Sequence, residues 1–132
     1  MRFRAEVKRI RMTACVEFSV GSDGGRYMDR IQIRKDDIPE VKFVLVEGEA
    51  GDLADASYSF RLNDQDGEEV FSVANAKFDA SKLADEGYVM MALSAEDTAT
   101  AVSGGDAELK AEVGDAIYTV YVGVWDIIAD LV

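Results

Sequence analysis

Twenty-six carboxylates, five tyrosines, one cysteine and no histidine bound the chemistry open to this 132-residue chain. Without imidazole there is no Ser-His-Asp or Cys-His arrangement and no His-containing zinc site. A catalyst built from these residues would have to use carboxylates, Lys or Tyr. The densest acidic run, Asp64-Gln65-Asp66-Gly67-Glu68-Glu69, invites comparison with a calcium loop. Aligning Gly67 with the loop glycine puts Leu62 at the first ligand position and Val73 at the last, where Asp and Glu are required. The run therefore reads as a hairpin turn. Asp36-Asp37 and Glu47 with Glu49 and Asp52 read as solvated loops. Paired carboxylates hydrolyse glycosides only at a defined separation, and 26 acids generate neighbouring pairs by chance. No catalytic residue, metal or cofactor is assigned, and the chain is not expected to be an enzyme.

Other residues have both a chemical and a packing reading. Tyr88, Tyr118, Tyr121 and Trp125 could line a sugar-binding platform, although aromatics on strands more often pack in cores or across strands. Ser103-Gly104-Gly105-Asp106 is glycine-rich but has no Lys and no strand-to-helix context, so it reads as a turn rather than a phosphate cradle. Cys15 stands alone beside Val16 in an apolar segment. It reads as a small core residue in a protein folded in a reducing compartment. The N-terminus carries charges where a signal core would be apolar, and no stretch reaches the roughly 18 apolar residues of a membrane helix, so neither secretion nor a membrane partner is expected.

The net charge of −12 is unevenly distributed. Residues 1–35 hold nine basic side chains (Arg2, Arg4, Lys8, Arg9, Arg11, Arg26, Arg30, Arg34, Lys35) against Glu6, Glu17, Asp23 and Asp29. The remaining 5 basic and 22 acidic residues lie beyond, so a segment of +5 precedes a body of −17. An acidic body repels phosphate, which argues against direct nucleic acid binding. The basic segment reads either as a solvated strand face or as a surface that meets acidic neighbours, since complementary charge sets register and partner choice. Arg2, Arg4, Lys8, Arg9 and Arg11 are the candidate partner contacts.

These residues must be positioned by strands. A length of 132 with 48% hydrophobic residues suits one domain over 1–132, divided into basic N-terminal strands (1–35) and an acidic body (36–132). Met12, Ala14, Val16, Phe18 and Val20 alternate with mostly polar residues, Gly21 to Gly25 supply a turn, and Ile31 and Ile33 resume the alternation, which predicts a hairpin. Phe3, Ala5 and Val7 fall on the other parity, which predicts a break near Lys8-Arg9. After a turn at Lys35 to Pro39, Val41 to Val46 reads as a strand buried on both faces. Ala56, Tyr58, Phe60 and Leu62 predict a strand with one wet face, Asn63 to Gly67 a turn, and Val70 to Val73 the return. Gly87 to Leu93 reads as another buried strand. Ala107, Leu109, Ala111 and Val113 alternate, Gly114-Asp115 turn, and Ile117 to Val124 close the series. Ser94 to Ala99 is the best short helix, capped by Ser94, and the tail from Trp125 fits helix or strand equally. The pattern predicts an all-β, antiparallel sandwich of seven to eight strands plus an N-terminal hairpin, with at most one or two helical turns.

From Asp36 onward the order of segments carries a family likeness. A charged turn precedes Val41-Lys42-Phe43-Val44-Leu45, then come Ser57-Tyr58-Ser59-Phe60-Arg61-Leu62, the turn Asn63 to Gly67, and Gly87 to Leu93 running into Ser94-Ala95-Glu96-Asp97-Thr98. A Gly-rich turn at Gly104-Gly105-Asp106, an alternating strand to Glu112 and a terminal strand complete it. Over about residues 36–125 this resembles the immunoglobulin-like domain of bacteriophage virion proteins and is similar to the N-terminal domain of phage baseplate upper proteins. The resemblance implies an immunoglobulin-like sandwich without catalytic residues, located in the virion and partnered by other copies of itself and other virion structural proteins. Against that pattern, residues 1–35 are expected to be an added hairpin, and no fibre module is expected after Val132. The expectation is a structural component of the tail, baseplate, neck or capsid surface, assembling through sheet edges and the basic segment. A carbohydrate- or host-surface-binding sandwich is the alternative.

Overall fold

The computed structural model describes residues 4–7, 12–19, 29–36, 38–53 and 55–129. Their ten strands form two five-stranded sheets. The first sheet contains β1 (Arg4–Val7), β2 (Met12–Ser19), β4 (Glu40–Glu47), β8 (Tyr88–Ala92) and β7 (Phe78–Asp79), in the spatial order β1-β2-β4-β8-β7. The second contains β3 (Asp29–Arg34), β10 (Ala116–Ile128), β9 (Val102–Val113), β5 (Ser57–Asn63) and β6 (Glu69–Val73), in the order β3-β10-β9-β5-β6. Helical structure among the described residues is confined to α1 (Leu83–Glu86) and short 3-10 turns at Ala50–Leu53 and Asn75–Lys77. The all-β sandwich predicted from alternation is what forms.

Alternation places the core. Tyr58, Phe60 and Leu62 of β5 are buried and Ser57, Ser59 and Arg61 exposed, as the period of two requires. Ile31 and Ile33 of β3 and Ala107, Leu109 and Ala111 of β9 are buried in the same way. Between the sheets lies an aromatic cluster: the Phe60 ring stands 4.7 Å from Trp125, 5.9 Å from Phe71 and 6.2 Å from Phe43, and Tyr121 meets Phe43 edge-on at 5.6 Å. Phe43 comes from the first sheet and the others from the second, so the cluster ties the layers together. The Trp125 indole N–H donates to the Tyr121 hydroxyl at 2.9 Å, which satisfies the buried donor.

Several expectations are corrected. The segments around 12–20 and 27–34 do not form a hairpin: β2 lies in the first sheet and β3 in the second. The N-terminal hairpin is instead β1 with β2, antiparallel, and the expected turn at 21–25 lies outside the described residues. The sheets are mixed rather than purely antiparallel, because β2 pairs β4 and β3 pairs β10 in parallel. Between β2 and β4 of the first sheet the chain contributes β3 to the second, so the intervening strand serves as the crossover that a parallel pair needs. β4 is buried on one face only: Val41 and Phe43 are fully buried, whereas Lys42 and Val44 are half-buried and Val46 is exposed. β8 behaves likewise, with Val89 and Met91 inside and Tyr88 and Met90 half-buried. No described layer covers the outer face of that sheet.

Ser94 to Ala99 is a capped turn rather than a helix. Ser94 N–H donates to Asp97 Oδ2 at 2.9 Å and Asp97 N–H to Ser94 Oγ at 3.2 Å, so the expected Ser94 cap forms and Asp97 reciprocates it. The turn is pinned at both ends, by Leu93 N–H on the Pro39 carbonyl and Asp36 N–H on the Thr98 carbonyl, so a helix has no room to propagate. The turn at Asn63 to Gly67 forms as expected, with Asp64 Oδ1 accepting the N–H groups of Asp66 and Glu68. The tail from Trp125 continues β10 to Ile128 and is strand.

Candidate functional site

Ser103-Gly104-Gly105-Asp106 is not a turn but part of β9, and the reason is a bulge. Register against β10 shifts between Trp125 opposite Gly105 and Ile127 opposite Val102, so β9 carries an extra residue there, and Gly104 takes φ 68°. Gly105 is needed for a different reason: a Cβ would meet the Asn63 carbonyl oxygen and Leu62 Cδ1, each at 2.9 Å. At the bulge, Asp126 Oδ1 accepts the Gly104 N–H at 2.7 Å. The same carboxylate takes Arg30 in a two-point fork, Nε to Oδ2 at 2.8 Å and Nη2 to Oδ1 at 2.9 Å. Asp126 is 4% exposed although it occupies the outer side of β10. Its charge is tolerable there because three donors from β3 and β9 satisfy it.

A second irregularity in β10 changes which side chains face outward. Register against β9 shifts between Thr119 and Tyr121, and consecutive Val120 and Tyr121 are both buried. Ahead of the paired Asp126, the outer side is therefore Ile117 and Thr119 before the shift and Val122 and Val124 after it. Ile117 is 63% exposed and the other three are half-buried. A charged row on β9 runs beside the whole of this apolar line, and one on β3, paired to β10 over 123–128, flanks it only at Val124. On β9 the outward residues are Asp106, Glu108, Lys110 and Glu112, and on β3 they are Arg30, Gln32 and Arg34. Lys110 Nζ lies 3.7 Å from Glu108 and Arg61 Nε 3.9 Å from Glu69. Two open grooves flank this face. One, of about 430 Å3, runs past Arg30, Gln32, Val102 and Asp126, and the other, of about 250 Å3, past Arg61, Glu69, Glu108 and Lys110.

The face presents alternating charge without a convergent chemical site. Among the described residues, no three of Cys, Asp or Glu gather as a possible metal set, and no helix is long and apolar enough to cross a membrane. Burial pushes the Tyr58 phenol up to about 12, but its ring packs against Phe78 and its buried hydroxyl has no hydrogen-bond partner among the described residues. Hydrogen bonds from Ser81 hold the Asp79 carboxyl below its usual range, which is the signature of a local turn.

The aromatic platform is not assembled. Tyr121 and Trp125 are 2% and 0% exposed and belong to the core cluster. Tyr118 is half-buried, and Tyr88 lies on the other sheet, under Lys42 Nζ at 4.3 Å from the ring centroid. Of the basic candidates, Arg4 falls in β1, an edge strand of the first sheet, with its Cα opposite Cys15. Arg2, Lys8, Arg9 and Arg11 lie outside the described residues. Sequence reasoning missed Asp126. The available signal was a lone carboxylate in the otherwise apolar run from Val120 to Ile128.

The fold is similar to that of the N-terminal domain of phage TP901-1 ORF48, with a TM-score of 0.55 at 16% identity, over 90% of this chain and 100% of that domain. The likeness expected from the order of strands and turns is therefore present in three dimensions. Residues 36–132 alone fall short of a 90% share, so the match extends into the first 35 residues. No family model and no curated protein matches the sequence.

Proposed function

We propose that this chain is a non-enzymatic structural protein of a bacteriophage particle, working by assembly with other copies and with other virion proteins. The observation that carries this reading is the fold likeness over the whole of the phage domain. The surface agrees with it. The grooves are open and each is bordered by charges of both signs, and the four sheet edges among the described residues, β1, β7, β3 and β6, are short strands of two to six residues. Unpaired backbone groups on such edges are templates for a neighbour's strand. The basic residues Arg2, Arg4, Lys8, Arg9 and Arg11 supply charge that meets acidic neighbours, and many weak contacts become durable in a symmetric particle.

Two measurements test this reading. Mass spectrometry of purified particles from the host that carries this gene should find the chain as a stoichiometric component; its absence would refute the virion assignment. Reversing the charge of the five basic residues should abolish the salt dependence of assembly. Unchanged assembly and salt dependence would show that the basic segment is not the contact.

A further inference from the structure

We propose that the outer face of the second sheet is the seat of a two-fold dimer of this chain, with the axis parallel to β10. The proposal deepens the assembly reading and rests on it for its biological setting.

The argument is the order of side chains across the face. Along β10 runs the line Ile117, Thr119, Val122 and Val124, with the acidic row Asp106, Glu108 and Glu112 of β9 along one side and, on the other, Arg30 of β3 beside Val124 and Arg34 beside Ile128. Asp106 and Arg30 both stand opposite Val124, so they flank the apolar line at the same height. Two such faces can be brought together by a two-fold axis in the plane between them. If the axis runs along β10, left and right exchange. Arg30 of each copy then lies over Asp106 of the other, while the Val122 and Val124 lines pack against each other. If the axis runs across the strands, β3 lies over β3 and β9 over β9, and like charges meet. Charge therefore selects the first geometry and penalises the second. Lys110, the basic member of the β9 row, is engaged by Glu108 of its own chain.

Arg30 is suited to this contact because Asp126 holds it by Nε and Nη2, so that Nη1, on a side chain that is 57% exposed, remains to donate to a second carboxylate. About eight residues each of β9 and β10 and the 6 of β3, at ~4.8 Å spacing and ~3.3 Å rise, give roughly 350 Å2 per copy. That is less than half of the ~800 Å2 per partner of a stable isolated complex, so the dimer is weak in solution and gains its effect where copies are concentrated.

Sedimentation velocity on the full chain, from ~10 μM to ~1 mM at low and high salt, tests this directly. A reversible dimer that weakens with salt is expected. Val124→Glu, Ile117→Glu and Asp106→Lys should each weaken it at least about tenfold, while Asp85→Lys, which changes net charge equally on exposed α1, should match the parent. Should Val124→Glu misfold, Ile117→Glu and Asp106→Lys change exposed residues and keep the test open. A strict monomer throughout, or equal effects of Asp106→Lys and Asp85→Lys, overturns the proposal. A monomer that is nevertheless found in particles overturns only this inference; a dimer absent from particles overturns only the virion reading.

Discussion

Arg30 and Asp126, 96 residues apart in the chain, form a two-point ion pair that fastens the edge strand β3 to β10. The pair is unequal: the Arg30 side chain is 57% exposed and that of Asp126 6%. Loss of the arginine strands a buried carboxylate, whereas loss of the carboxylate frees an arginine that water can reach and leaves the Gly104 N–H without its acceptor.

Arg30→Ala should therefore cost about 3 kcal/mol and Asp126→Ala about 1.5 kcal/mol, with Asp126→Asn milder still because Oδ1 keeps an acceptor for Gly104. Urea denaturation of the three variants measures this. Equal costs, or the reverse order, would mean that the carboxylate is better hydrated than its burial implies.

The two adjacent glycines should separate by mechanism. Gly105→Ala drives a Cβ into backbone and core, 2.9 Å from the Asn63 carbonyl oxygen and 3.3 Å from that of Trp125, and should cost about 2–3 kcal/mol. Gly104→Ala suffers the positive φ, but its nearest obstacle is the end of the Gln65 side chain, which can swing away, so about 1 kcal/mol is expected. Thermal melts that rank Gly104→Ala as the worse of the two would contradict this assignment.

Trp125→Ala should destabilise the protein by about 4 kcal/mol, since it empties the centre of the aromatic cluster and removes the donor to Tyr121. Any binding lost in this variant should follow the loss of folded protein. Circular dichroism alongside a glycan array separates the two, and a folded variant that has lost glycan binding would restore the sugar-platform reading.

Tyr58 sets an alkaline limit. Its folded pKa lies near 12 against 10.0 in the unfolded chain, so the folded state holds the proton that the unfolded state releases. Stability is complete below pH 10 and falls as pH rises toward 12, by on the order of 2 kcal/mol. Tyr58→Phe should remove this group's share of the alkaline fall and be neutral or up to about 1 kcal/mol stabilising at pH 7, because the hydroxyl it deletes has no partner among the described residues. A clear loss at pH 7, measured by urea titration, would reveal a hydrogen bond to that oxygen.

The sequence by itself determined the all-β class, the position of most strands and turns, and which side chains face the core. Tyr58, Phe60 and Leu62 show this for β5, and Asn63 to Gly67 for the turn that follows. These features depend on a period of two and on local turn chemistry, which a strand carries whatever its neighbour. Tertiary structure alone decided which strands pair. The alternation of residues 12–20 and 29–34 is compatible with a hairpin, yet β2 and β3 end in opposite sheets because each parallel pairing joins strands that are not consecutive in the chain. It also decided the two register shifts of β10, which turn Gly104 and Gly105 from an apparent turn into strand and bring Val120 and Tyr121 together inside. Arg30 and Asp126 were legible only as one arginine among nine basic residues and one carboxylate among 26. Their partnership is a contact between distant segments, and a local pattern specifies the face a side chain occupies but not what stands opposite it.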